Sequence, residues 1–171
     1  MKNLTLLLVV AVCYGATSQD TKSVLLKQMK STHNENNWFV SINIAIAGLT
    51  AEQANWKDDS GNHSIAQLTS HIVFWNEREL NKFKDIKPGA YNGNNDETFD
   101  TFTQGSWDEL VMKADAVMKG WEEAIQAADE KKLKGAYETI ANISTHNAYH
   151  TGQIVFARKQ QGVWDPKKGV N

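Results

Sequence analysis

The stretch Thr145-His146-Asn147-Ala148-Tyr149-His150-Thr151-Gly152-Gln153-Ile154-Val155 decides how the rest of the chain is read. Its two histidines are four residues apart. On an α-helix with 3.6 residues per turn they leave the same face, one turn apart. That spacing lets two imidazoles reach one ion. With His146 at zero and about 100 degrees per residue, Ile143, Tyr149, Ile154 and Phe156 fall within about 80 degrees of it. Ser144, Ala148, Thr151 and Lys159 fall on the far side. This wheel puts the pair near the middle of a core-facing stripe that also carries Asn142 and Gln153. An unsatisfied buried polar group costs about 1–3 kcal/mol, and a metal ion would satisfy both rings together.

The helix that should face this one opens at Ser64 and runs to about Lys84, with Ile65, Leu68, Ile72, Trp75 and Phe83 at helical spacing. His71 lies beside that ridge on the inward part of its wheel. Two helices of a bundle can point histidines into one gap. Three neutral imidazoles with an open position form a recurrent catalytic zinc arrangement. A hydrogen-bonded core histidine is the competing reading at each of the three positions. The other histidines, His33 and His63, fall in a helix break and a loop and read as solvated residues, with His63 the reserve ligand. The sequons at Asn62 and Asn142 read as chance matches, the second because Asn142 sits on the supposedly buried stripe.

Working outward, a first helix is expected from Asp20 to about Ser31, with Val24, Leu25 and Met29 inward. Helical pattern resumes at Trp38 and runs to about Ala47, where Gly48 is a natural stop. Thr50-Ala51-Glu52-Gln53 reads as a capping box, and so does Ser106-Trp107-Asp108-Glu109. The latter opens a helix to about Ala128 with Leu110, Val117, Trp121 and Ile125 inward. Asp129 to Lys134 is a short connection, the last helix covers about Gly135 to Gln161, and Val163 to Asn171 is irregular. The chain is therefore expected to be all-α, a four-helix bundle. Asp85 to Gly105 is long for a loop in a compact domain. In a bundle it can be a crossover between helices two and three that leaves them parallel.

The 171 residues suffice for one domain, expected over 19–171, and the net charge of -2 offers no basic field for nucleic acid. The first 18 residues read as a signal peptide: Lys2, an apolar run from Leu4 to Val12, and Ala16-Thr17-Ser18 as a small-x-small cleavage site. The run is too short to span a bilayer, so the mature form is not expected in a membrane, and its location is read as periplasmic or secreted. Lipid anchoring at Cys13 is disfavoured by Val12 before it. Removing Cys13 leaves a domain without thiols, which excludes cysteine catalysis and Cys-rich zinc sites. A carboxylate-bridged di-iron bundle is excluded as well, because none of the five histidines has a glutamate three residues before it.

The run from Thr145 to Val155, continuing through Arg158-Lys159 to Gly162-Val163-Trp164, resembles the last-helix signature of the DinB/YfiT-like superfamily. His63-Ser64-Ile65-Ala66-Gln67-Leu68, leading to His71 and Trp75, resembles its second-helix signature, and Trp38 with Gly48 to Ala54 resembles one branch. The resemblance implies a four-helix bundle holding a divalent metal, such as zinc, nickel or iron, on His71, His146 and His150. It further implies an enzyme acting on a small-molecule substrate, either a thiol transferase or isomerase using a low-molecular-weight thiol, or, given the export signal, a hydrolase using activated water. The alternative is a non-catalytic metal- or ligand-binding envelope or stress protein. A homodimer is left open. No catalytic residue is assigned: Asn147 follows His146, so there is no His-Glu-x-x-His, and Glu79 reads as a rim carboxylate two turns from His71.

Overall fold

A computed structural model describes residues 20–35 and 37–169. The signal-peptide reading and Cys13 lie outside the described residues. Within them every regular element is helical: α1 (Thr21–His33), α2 (Ile42–Ile46), α3 (Ala51–Asn55), α4 (Ile65–Phe83), α5 (Gln104–Ala127), α6 (Glu130–Lys134) and α7 (Tyr137–Gln160). Two 3-10 turns, Asn95–Thr98 and Pro166–Lys168, complete the list. No described helix is long and apolar enough to cross a membrane.

Helix starts are set by side chains that take up free backbone N–H groups. Thr50 with Gln53 and Ser64 with Gln67 form reciprocal capping boxes. The third box is Thr103 with Ser106, so α5 starts two residues before Ser106, and Ser106 is an N3 partner rather than the cap. Asp129 caps α6, a short helix where a plain connection was expected. At the far end of α7, Gly162 takes φ +70°, and the Val163 N–H bonds back to the Arg158 carbonyl. A residue with a Cβ adopts that left-handed conformation only at a cost.

The segment from Trp38 is less helical than its sequence pattern. Only Ile42–Ile46 is helix; Val40, Ile42, Ala45 and Ile46 reach the core, while Trp38 is 98% exposed. The end of α2 is closed from a distance, by the buried Arg158 guanidinium donating to the Ala45 and Ala47 carbonyls at 2.7 and 3.1 Å.

The four long helices form the bundle. α4 packs on α5 and α7, and α1 packs on the same two from the other side. Met29, Ile65, Ile72, Trp107, Met118, Trp121, Ile125, Ile140 and Ile154 fill the core, each almost fully buried. The two buried indoles are satisfied: Trp107 donates to the Leu49 carbonyl and Trp121 to that of Asn76. Contacts climb α4 and α5 in the same direction, with Glu77 paired to Lys113 at 2.7 Å and Leu80 against Gly120. Between α4 and α7 they run in opposite directions, from His71 beside His146 to Glu79 beside Thr139.

The connection between α4 and α5 lies back along α4. Arg78 donates to the Gly89 carbonyl, and Tyr91 packs on Phe74 and Trp75. Trp75 donates to Asn95, Ser70 to the Thr98 carbonyl, and Asn55 to the Phe102 carbonyl. Side chains of α4 thus tie this strap to the helix from Gly89 to Phe99, and Asn55 of α3 holds its end.

The wheel for α7 needs correction. Its buried residues are Ile140, Ile143, Ser144, Asn147, Thr151, Ile154, Val155 and Arg158. That face is centred about 120 degrees round from His146 at 100 degrees per residue. Tyr149 and Phe156, placed inward by the wheel, are 63% and 59% exposed. Asn142 is exposed too, so burial gives no reason to dismiss its sequon. The physical reason is that Ser144 and Thr151 were assigned to solvent, yet both are buried here. Ser144 donates to the Ile140 carbonyl, and Asn147 pairs with Asn76.

Candidate metal centre

His71 comes from the middle of α4, and His146 and His150 from successive turns of α7. Their rings converge. The centroids lie 5.0 Å apart for His71 and His146, 4.8 Å for His71 and His150, and 4.5 Å for His146 and His150. One ring nitrogen from each falls within 4.8 Å of the others. No other described group of three or more histidines, cysteines and carboxylates is so arranged. His71 is buried, and the α7 pair is half-buried at the edge of the α7 core face rather than at its centre.

The hydrogen bonds show which nitrogen each ring offers. The Thr98 hydroxyl donates to the Asn95 carbonyl at 2.7 Å, so its oxygen accepts from His71 Nδ1 at 2.6 Å. That leaves a lone pair on His71 Nε2. His150 Nδ1 lies 2.6 Å from Gln153 Oε1, an acceptor, so His150 Nε2 also carries a lone pair. His146 Nε2 approaches His71 Nε2 to 3.0 Å, while its buried Nδ1 has no hydrogen-bond partner among the described residues. The cluster therefore holds more inward electron pairs than protons to share among them. That donor set, with the outer nitrogens of His71 and His150 held by oxygen acceptors, fits a divalent ion.

Electrostatics agree. Burial pushes His71 down to about 3, with the neighbouring His146, His150 and His63 rings adding to the effect. Burial likewise pushes His146 down to about 4, with His150 adding to it. His150 is lowered by burial, against the hydrogen bond to Gln153. All three rings are thus neutral near pH 7, as ligands must be. Desolvation thus keeps His71 and His146 neutral well below the ordinary imidazole value of about 6.5.

The other histidines divide. His63 is exposed, as read, but stacks on Phe99 at 3.7 Å and stands outside the three-ring cluster. His33 is not solvated. It is 2% exposed, with Nδ1 2.5 Å from Glu122 and Nε2 2.9 Å from Asp115. The polar run after Ser31 suggested a helix break, whereas α1 continues through His33 and carries it to α5.

Two residues at the site were not foreseen. Thr98 holds His71, and Phe99 stacks on the same ring at 4.4 Å and 4°. Both belong to the strap, whose sequence has no periodicity that would aim a side chain. Beside the cluster, Trp75, Glu79, Thr139, Asn142, Ile143 and His146 line an open cavity of about 310 Å³. Glu79 sits on its rim and is tied to Lys82 at 2.6 Å.

The DinB superfamily pattern matches residues 41–154, which spans α2 to most of α7 and includes all three clustered histidines. The chain belongs to the DinB superfamily. No curated protein and no solved structure matches it significantly. In this DinB-superfamily member, the α4 and α7 signatures are the segments that bring the three rings together.

Proposed function

We propose that this DinB-superfamily protein holds a divalent metal ion on His71, His146 and His150 and acts as a metal-dependent enzyme on a small molecule. The observation that carries the reading is the convergence of three neutral rings with an open cavity against His146 and no fourth described protein ligand. A closed, four-ligand set would instead mark a structural site. When bound, such an ion supplies Lewis acidity that lowers the pKa of a water or thiol entering the open position. The protein's part is to keep the rings neutral by burial, to orient His71 through Thr98 and His150 through Gln153, and to cover His71 with Phe99. The cavity offers an apolar wall of Trp75 and Ile143 and polar groups from Thr139, Asn142 and Glu79 for the substrate body. The reading of residues 1–18 as an export signal favours water over a cytosolic thiol as the activated group.

The test is elemental analysis of protein purified without a nickel column, followed by screening against esters and against thiol–electrophile pairs. One ion per chain in the wild type, lost in His146→Ala together with any turnover, is the expected result. Turnover that survives His146→Ala overturns the proposal. A tightly held ion without turnover on any substrate assigns the chain to the non-catalytic alternative.

A further inference from the structure

The strap between α4 and α5 contributes no cluster histidine, yet it reaches the centre of the site. Thr98 is 2% exposed at the end of the Asn95–Thr98 turn. Its backbone carbonyl accepts from Ser70, one residue before His71 on α4. Its hydroxyl proton is committed to the Asn95 carbonyl. Asn95 is itself held by the Trp75 indole, and Phe99 lies flat on the His71 ring. The Thr98 oxygen is therefore fixed in place and can only accept from His71 Nδ1.

An imidazole in an apolar site has two neutral tautomers, and only one presents a lone pair at Nε2. Nothing on α4 selects between them, since no other hydrogen bond reaches His71 Nδ1. We propose that Thr98 is a positioning residue that locks His71 in the Nδ1–H tautomer, so that the strap delivers the Nε2 lone pair to the cluster. Outer partners of this kind typically change metal affinity by roughly 10–100-fold. Phe99 completes the device by preventing the ring from tilting out of line. The proposal rests on the three-histidine metal reading only for its effect on affinity; the tautomer itself is a property of the metal-free protein.

Two measurements separate these. Long-range 1H–15N correlation spectra of the metal-free protein near pH 7.5 report which ring nitrogen of His71 carries the proton. The wild type and Thr98→Ser should show the proton on Nδ1, and Thr98→Val should show mixed tautomers. Zinc titration, competed against a chromogenic chelator, should give a Kd roughly 10–100-fold weaker for Thr98→Val and restored to within a few-fold by Thr98→Ser. A wild-type His71 protonated on Nε2 overturns the proposal even if Thr98→Val does not fold. So does a folded Thr98→Val that binds zinc as tightly as wild type. Wild type that binds no zinc while showing the Nδ1–H tautomer refutes the metal reading and leaves the tautomer lock standing.

Discussion

Asn76 on α4 and Asn147 on α7 form a reciprocal amide pair at the centre of the bundle. Asn76 donates to Asn147 Oδ1 at 2.6 Å and Asn147 returns a bond to Asn76 Oδ1 at 3.1 Å, with both residues fully buried. Asn147 follows His146 directly, so the pair sets how α7 faces α4 where the histidines meet. Asn147→Ala leaves a buried amide oxygen without its partner and should cost about 1–3 kcal/mol in urea denaturation. Asn76→Leu with Asn147→Leu together should cost less than the sum of the single changes, because neither amide is then stranded.

His33 ties the end of α1 to α5 through Asp115 and Glu122. The hydrogen bond from His33, followed by that from Asn43, holds the Asp115 carboxyl below its ordinary value. Its share of stability is present above about pH 4 and is lost on further acidification. His33→Ala should lower stability by about 1 kcal/mol, measured by urea denaturation at pH 7, mainly through the part-buried Glu122 carboxylate that loses its partner, since Asp115 is exposed and keeps Asn43. Zinc affinity should stay within twofold of wild type, because His33 stands apart from the three-ring cluster.

The depressed values of His71 and His146, about 3 and about 4, fix a pH dependence. Between about pH 6.5 and 4 the unfolded chain binds protons at these rings that the native state refuses. Stability of the metal-free protein therefore falls as pH drops through that window and levels off above it. Replacing His71 by Leu should flatten the slope, read from urea midpoints between pH 4.5 and 7.5.

The same neutrality extends the reach of a bound ion. A ligand at a hundredfold excess over Kd stabilises the native state by about 2.7 kcal/mol. A chelator should therefore lower the melting temperature of the metal-loaded protein at pH 5 as well as at pH 7.5. His146→Ala should abolish that sensitivity. Equal sensitivity in His146→Ala would place the ion elsewhere.

α4 and α5 pack tightly at Gly120, where an added Cβ would stand 2.9 Å from Leu80 Cδ2. Gly120→Val forces the Leu80 side chain or the helix itself to move and should cost about 1–3 kcal/mol in thermal denaturation.

Apolar spacing, with the cap Ser64, determined the long helices, Thr50 marked the short α3, and two His positions one turn apart on α7 followed from 3.6 residues per turn. These are local properties, set by backbone geometry and nearest neighbours. The sequence also carried the family signatures that place His71 with the pair. Tertiary structure decided the rest. The wheel turned α7 by about a third of a rotation because it scored Ser144 and Thr151 as wet, while both are buried and the neighbouring Asn147 finds its partner on another helix. His33 looked solvated because its partners lie on α5, more than eighty residues away. Thr98 and Phe99 gave no signal because an irregular strap has no period, and only its path along α4 puts a hydroxyl within 2.6 Å of His71.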